Sequence, residues 1–508
     1  MTDRPSLRSG LSFGALSFGA SAAVAVVSSI VTARLYGVDV IGEFALVAAP
    51  AGIIWFLSNA GEQTASVRLL VDLPNRHPRV TGIFVAVFGF SMVLTVTVGA
   101  LVLGAAYLLL DGPIDRPDLF APTAVNTLGC VFVSNPAWNL ETPFKAFMAG
   151  RELLWIRLLQ ALTFIAIAVA LSFGRADVWA LVIATIGSWG LSLGHRILVI
   201  RPFVDLRPQA HEVRAGVALL PEILSYGVRI VPGMLSNGVS YEVGIWVLGL
   251  KASVASVGAY SRAWSVIKRF AEVNWRISEM LFPALITRRK NGDEVGFARA
   301  ALDTMRYVLL LALLPAAIGG GGAETIMSVF GPGFTRGSDA LAILVLVPPL
   351  SLLQTAQATV LLSTDRPTAT SVAGVSQMIL TVAATFLFTD WLGISGPAVA
   401  LVAGFALALA LQGLMIHGTF SVPLRAMFPL SHAAGAVLAY AAGFGAARLA
   451  SDTIDGLLPA LAGVFAFGTI AYVAVAYLVA RPLPRDRERM SAIVDRILRG
   501  RQLIVEGS

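Results

Sequence analysis

The sequence predicts an all-α membrane protein with about fourteen transmembrane helices, and two observations carry that prediction. The first is composition, because 56% of the 508 residues are hydrophobic and only 13% are charged. Soluble domains are usually about 45–50% apolar and a quarter charged. The second is the recurrence of apolar runs of roughly 18 residues or more, each of which is long enough to cross a bilayer as a helix.

The predicted spans form two six-helix lobes around a central cavity, followed by two additional helices. The longest polar linker, about 201–220, follows the sixth span and divides the lobes. A weak repeat supports the division, because LYGVDVIGEFAL joins spans one and two as LGLKASVASVGAYSRA joins spans seven and eight. Paired lobes of this kind are common in transporters. The predicted divisions are an N-terminal lobe at 1–215, a C-terminal lobe at 216–420, two further helices at 421–480 and a basic cytoplasmic tail at 481–508. The spans lie near 11–31, 41–60, 80–110, 119–140, 153–173, 178–200, 221–248, 254–284, 302–322, 338–362, 368–389, 394–416, 431–449 and 457–480.

Basic residues are concentrated on one side of the predicted membrane. About 26 of the 37 Lys and Arg residues fall in the loops and termini on the side of the N-terminus, and about six fall on the other side. This bias predicts an even number of spans with both termini in the cytoplasm of a bacterial cell. It also accounts for the net charge of +7 through contact with anionic lipid, so no nucleic acid is expected as a partner.

Chemistry-bearing motifs are scarce. The one cysteine, Cys130, excludes an internal disulfide and a cysteine metal cluster. No Ser-His-Asp signature, HExxH motif, P-loop or pair of catalytic carboxylates is found. We therefore expect neither an enzyme nor a bound cofactor or metal.

The stretch RAWSVIKRFAEVNWRISE, residues 262–279, places many charges inside an apolar region. On a helix, its polar residues share one face. A charge at mid-membrane costs at least about 2.5–3.5 kcal/mol, so this face must meet protein or a water-filled cavity. We favour a cavity-lining helix that binds an anion. A helix on the cytoplasmic surface, the wet end of a span and a structural charge network remain alternatives. The face consists of Arg262, Ser265, Arg269, Glu272, Arg276 and Glu279, with Lys268 at its margin.

Other ionisable residues inside predicted spans are functional candidates by default. Arg229 precedes Pro232 and Gly233, a pair that can kink a helix. Glu272 and Arg276 are four residues apart and can pair, which would hold the arginine in position. Glu62 and Glu242 are candidates for coupling-ion sites.

The segment ARLYGVDVIGEFALVAAPAGIIWFLSNAGEQTASVR, residues 33–68, resembles the first helix pair of polysaccharide-transport proteins. These are the O-antigen and lipopolysaccharide flippases of the multidrug/oligosaccharidyl-lipid/polysaccharide exporter superfamily. VGAYSRAW with LFPALITRR, within 257–289, is similar to their eighth helix, and VFGPGF at 329–334 resembles a later link. The matching residues of the first segment are Ala33, Arg34, Gly37, Gly42, Phe44, Gly61 and Arg68.

This resemblance implies a cavity that opens alternately to each leaflet and a substrate built of glycan on polyprenyl diphosphate. Arginines suit a diphosphate through charge-assisted, often bidentate contacts. The expected substrate-binding residues are Arg229, Arg262, Arg269 and Arg276, with Glu272 positioning Arg276. Expected partners are the lipid-linked oligosaccharide, membrane lipids, a polysaccharide polymerase and glycosyltransferases. The alternatives are a cation-coupled multidrug-type antiporter, which needs an acidic cavity, and a membrane enzyme of polysaccharide assembly.

Overall fold

The structure, a computed structural model, describes residues 7–58, 62–70, 73–147, 149–268, 291, 293–363, 367–420 and 430–479. These residues are almost entirely helical, and no β-strand occurs among them. The prediction of an all-α membrane protein with about fourteen helices is confirmed. We number the spans 1 to 14. Their helices are Leu7–Leu57 (spans 1 and 2), Pro78–Asp111 (3), Phe120–Gly129, Cys130–Ser134, Asn135–Asn139 and Glu141–Ala146 (4), Gly150–Ser172 (5), Val178–Val199 (6), Ala210–Lys251 (7), 254–268 (8, as far as described), Glu294–Gly321 (9), Ser338–Leu344 and Val347–Ser363 (10), Pro367–Leu392 (11), Gly396–Phe420 (12), Leu430–Thr453 (13) and Leu457–Val479 (14).

Nine stretches of the described residues are long and apolar enough to cross a membrane. Two of them, Ala23–Leu57 and Thr368–Gly418, each hold two spans. Spans 4, 7 and 8 are not among the nine. Span 4 consists of several short helices, one of which is a π-helical turn at Cys130–Ser134. The predicted domain boundaries stay predictions. Residue 215 falls inside the long helix of span 7.

Spans 1 and 2 meet at a sharp turn at Gly37. This residue has φ 75° and ψ 173°, a left-handed backbone conformation that glycine adopts without the steric cost of a side chain. We call the end of the bundle at Gly37 the outer end, because the charge bias predicts it to lie outside the cell, and we call the opposite end the inner end.

The apolar cores differ between the two ends. One large core joins spans 1 and 2 to spans 7, 8, 10 and 12 in the outer half, with Ile41, Leu248, Tyr260 and Phe405 among its buried members. In the inner half, the helix Glu62–Leu70 and spans 3 to 6 share a core that includes Ile223 from the beginning of span 7. Spans 9, 10 and 12 have another. Backbones also meet across the lobes here, because a methyl group on Gly82 of span 3 would overlap the carbonyl oxygen of Glu212 on span 7. Within the described part of the chain, the lobes therefore share one core outside, whereas inside they have different cores and meet where span 7 packs on span 3.

Candidate functional site

The described part of the charged face of span 8, which comprises Arg262, Ser265 and Lys268, lies between the lobes. Arg262, on span 8, donates a hydrogen bond from Nη1 to Ser29 Oγ of span 1 at 2.8 Å. The hydroxyl of Ser265, one turn further along, lies 3.4 Å from the same Ser29 oxygen. The face that begins with these two residues is directed at the first lobe and not at lipid.

Arg262 carries a charge that the described residues leave uncompensated. Its side chain is partly buried, its Nε has no hydrogen-bond partner among them, and none of the ion pairs they form includes it. A buried cation without a counter-ion is costly, and an anion that approaches it removes part of that cost. This arrangement suits an anionic ligand between spans 1 and 8.

Glu242 faces the same junction from span 7. Its carboxylate is buried, and its Oε1 lies 3.6 Å from Lys268 Nζ on span 8. Across the lobe boundary it meets Gly52 of span 2, where an added methyl group would lie only 3.1 Å from the Glu242 carboxyl carbon.

Both glutamates predicted as coupling-ion sites, Glu62 and Glu242, are buried, but their contacts differ. Glu62 accepts a hydrogen bond from Ser91 Oγ at 2.5 Å inside the first lobe.

Four predicted binding residues cannot be placed. Arg269, Glu272 and Arg276 lie outside the described residues. The backbone of Arg229 belongs to span 7, but its side chain lies outside the described residues. Their roles stay predictions.

Sequence analysis missed a second charged group, in the inner half of the first lobe. The carboxylate of Glu141 on span 4 is surrounded by three cations: Arg196 Nη2 at 2.8 Å, Arg157 Nη2 at 3.3 Å and Lys145 Nζ at 3.6 Å. Glu141 and Arg196 are each only 1% exposed. We call these four residues the Glu141 cluster. One carboxylate balances only one of the three positive charges. The available signal was a single acidic residue at the end of span 4, near basic residues at the inner ends of spans 4 to 6.

Sequence analysis also missed a cavity of about 170 Å³ between spans 2, 4 and 6. Its lining includes the indole rings of Trp55 and Trp189 and the polar side chains of Asn126, Ser134 and Thr185. We call it the tryptophan cavity. No sequence signal predicts it, because its three helices are brought together only by the tertiary fold.

At the outer end the two lobes meet in what we call the outer seam, where backbones pack without intervening side chains. A methyl group on Gly42 would overlap the carbonyl oxygen of Val254, and one on Gly258 would overlap that of Val38. Arg34 adds a hydrogen bond from Nε to the carbonyl oxygen of Val329 at 2.8 Å. The outer seam therefore joins segments that sequence analysis singled out separately, around residues 33–68, 257–289 and 329–334.

An exposed ion pair lies beside this seam, in the link between spans 3 and 4. Arg116 contacts Glu43 at 2.6 Å and Asp118 at 2.7 Å. Its hydrogen bond to Asp118 holds the pKa of that carboxyl below its usual range, because the guanidinium favours the charged form. The Arg116 pKa is raised by the same partner.

The apolar helices define a multi-pass membrane protein, with a cation at the junction of its two lobes that the described residues leave without a counter-ion. The sequence profile of the family described as "Polysaccharide biosynthesis protein" matches residues 31–320, and the chain belongs to this family. Among curated protein sequences, none matches it.

Solved structures of low sequence identity share the fold. The lipid II flippase MurJ in an inward closed conformation is 13% identical, with a TM-score of 0.68 over 93% of this chain and 99% of that one. An inward-facing multidrug resistance MATE transporter of the MOP superfamily is 14% identical, with a TM-score of 0.61 over 82% and 96%. A MOP superfamily transporter from Pyrococcus furiosus is 14% identical, with a TM-score of 0.56 over 82% and 97%.

Proposed function

We propose that the protein is a flippase. It translocates a polyprenyl-diphosphate-linked oligosaccharide, the repeat unit of an O-antigen, capsule or exopolysaccharide, from the inner to the outer leaflet of the bacterial cytoplasmic membrane. The observation that carries this proposal is the position of Arg262, a cation at the lobe junction that the described residues leave unpaired. Membership of a polysaccharide biosynthesis family supports a glycan as the cargo.

The diphosphate binds the positive face of span 8. Arg262 is the described residue of this face, and the sequence predicts Arg229, Arg269 and Arg276 as its further diphosphate ligands. Arginine presents a planar fork of donors that matches phosphate oxygens in pairs. The polyprenyl tail stays in the bilayer while the polar headgroup crosses between the lobes, so no apolar chain has to enter water.

Alternating access uses the difference between the two ends of the bundle. The outer half has one core shared by both lobes, whereas the inner half has two different cores and a backbone contact between spans 3 and 7. In the proposed cycle, a headgroup enters from the inner side and leaves after the outer seam parts. Both termini lie in the cytoplasm. The glycosyltransferases of the same glycan act before this step and the polymerase acts after it.

The test uses a strain that lacks the gene. We expect it to accumulate a glycan-loaded polyprenyl diphosphate and to lose surface glycan, as measured by mass spectrometry of extracted lipids and by surface staining. Wild-type protein restores export, Arg262→Gln does not, and the control Arg175→Gln does, because Arg175 pairs with Asp177 at an exposed outer loop. Full rescue by Arg262→Gln would exclude Arg262 from the site.

The same strain distinguishes the runner-up function. A cation-coupled antiporter is favoured by the MATE-like fold and by the buried carboxylates of Glu62 and Glu242. It predicts unchanged lipid-linked intermediates and increased sensitivity to cationic compounds. We rank it lower because the described residues at the lobe junction include Arg262 and Lys268 against one carboxylate, Glu242.

A further inference from the structure

The tryptophan cavity has the size of a binding site for part of a ligand. A cavity needs only about 10–15 Å³ of such volume to hold one water, so about 170 Å³ accommodates a group far larger than a single water. The lining alternates between flat aromatic faces, from Trp55 and Trp189, and hydrogen-bonding groups, from Asn126, Ser134 and Thr185.

This mixture is complementary to a sugar ring. The C–H faces of a pyranose pack on indole rings, and its equatorial hydroxyls exchange hydrogen bonds with amides and hydroxyls. The amide nitrogen of Asn126 already donates to the carbonyl oxygen of Val47 at 3.4 Å. A purely apolar ligand would still displace water from the hydroxyl of Ser134 without replacing its hydrogen bonds, which is unfavourable.

The charges behind the cavity disfavour a cationic ligand. The guanidinium of Arg196 lies 5.2 Å from the ring of Trp189, and the ammonium of Lys145 lies 4.2 Å from the ring of Trp138. Trp138 in turn packs on Trp55 with ring centroids 4.5 Å apart. Two cations of the Glu141 cluster thus already occupy a face of the indoles of Trp189 and Trp138. The cluster also places net positive charge behind the cavity wall.

Gly52 connects this cavity to the lobe junction. It lines the tryptophan cavity and also lies against Glu242. Because glycine has no side chain, only the backbone of span 2 separates the cavity from the carboxylate of Glu242 and its neighbour Lys268. A ligand held at the junction therefore lies within one helix diameter of the cavity.

We propose that the tryptophan cavity binds a sugar ring of the translocated glycan while the diphosphate occupies the lobe junction. This inference rests on the proposed function and assigns the saccharide subsite to spans 2, 4 and 6. The headgroup is then held at two points, its charge on span 8 and one of its sugars between Trp55 and Trp189.

The first test is protection of an introduced thiol. Cys130 is the one cysteine in the chain, so Cys130→Ala removes all background. In that protein, Thr185→Cys reports on the cavity and Phe173→Cys, an exposed position at the outer end of span 5, is the control. The probe is the oligosaccharide released by mild acid from the polyprenyl-linked glycan of the wild-type strain, at about 10 mM, well above the Kd of a millimolar site.

We expect the oligosaccharide to slow alkylation of the thiol at position 185 several-fold and to leave the control thiol unaffected. Inorganic pyrophosphate should not change the alkylation rate at position 185. An unchanged alkylation rate at position 185 would overturn the saccharide subsite.

The second test measures transport in proteoliposomes. We expect Trp189→Ala to slow the glycan-loaded carrier roughly tenfold, the equivalent of about 1.4 kcal/mol, while the bare polyprenyl diphosphate is slowed little. Trp189→Phe keeps most of the rate. Equal slowing of both lipids would show that Trp189 serves packing only and would overturn the inference.

The two proposals fail in different ways. If the wild type moves no glycan-loaded carrier, the proposed function is wrong, and the thiol assay still decides whether the cavity accepts a sugar. If Trp189→Ala does not fold, that assay decides the question alone, because it leaves the tryptophan in place.

Discussion

The outer and inner halves of this bundle are built on different principles. In the outer half, backbone lies directly on backbone at Gly42 and Gly258, and one apolar core runs through both lobes. In the inner half, the described residues form two different apolar cores, and the first lobe adds the Glu141 cluster. The lobes also touch there, where Gly82 of span 3 lies against the backbone of span 7. The outer half is therefore one continuous core, and the inner half is two cores with a local contact between spans 3 and 7.

This difference separates two kinds of mutational effect. Substitutions in the Glu141 cluster act on the stability of the first lobe, because all four of its residues lie on spans 4 to 6. Substitutions in the outer seam act on the balance between closed and open states, because the contacts that they disturb exist in only one of them. The following predictions test that separation, from the largest expected effect to the smallest.

Glu141→Gln should cause the largest loss. It removes the one carboxylate among three cations and leaves Arg196 buried without its ion pair, for which about 3–5 kcal/mol is typical. Thermal unfolding of detergent-solubilised protein, followed by size-exclusion chromatography, measures this loss. The control is Glu222→Gln, an exposed position on span 7 with the same change of charge. Equal melting temperatures for the two variants would contradict a stabilising role for the Glu141 cluster.

Gly258→Ala should impair transport with little effect on unfolding. The added methyl group overlaps the Val38 carbonyl oxygen only when the outer seam is closed. We expect the outer side to become accessible to a water-soluble thiol reagent at Val254→Cys, in a Cys130→Ala background, and glycan export to fall. Gly104→Ala is the matched control, because a methyl group there meets nothing within 4 Å. A closed, active Gly258→Ala protein would show that the outer seam accommodates the methyl group and would contradict this prediction.

Arg34→Gln should loosen the same seam more gently. It removes one hydrogen bond to the Val329 carbonyl, and such a bond contributes about 1 kcal/mol, so the closed-to-open ratio should fall roughly fivefold. The same thiol accessibility assay measures the shift. No change in accessibility would assign the closure to the glycine contacts alone.

The smallest effect concerns acid stability at the Arg116 ion pair. Because the pKa of Asp118 is lowered in the folded protein, its contribution is present above the ordinary carboxyl pKa of about 3.9 and is lost as the pH falls through the lowered value. Exposed pairs contribute only about 0–1 kcal/mol. Wild type and Asp118→Asn should thus differ slightly in melting temperature at pH 7 and converge as the pH falls below the lowered pKa of Asp118. A difference that grows as the pH falls would reverse the sign of this interpretation.

The sequence predicts the spans well and the neighbours of each helix poorly. The length of apolar runs is a local property, so the positions of the spans follow from it directly. The helical face that begins with Arg262 and Ser265 is also local. Its partner Ser29 is not, because 233 residues separate it from Arg262. The Glu141 cluster and the tryptophan cavity are equally hard to predict from local sequence, since each combines three helices that only the folded chain brings together.

Glycine at the outer seam also bears on the membrane potential of the cell. A protein that moves large, hydrated headgroups has to pass them without letting protons or sodium ions through. Long side chains leave gaps and bring their own water, whereas two backbones in van der Waals contact at Gly42 and Gly258 leave no room for either. The closed outer seam should therefore block the passage of ions as well as that of the headgroup. Enlarging either glycine should make a growing cell leak charge, even where glycan still reaches the surface.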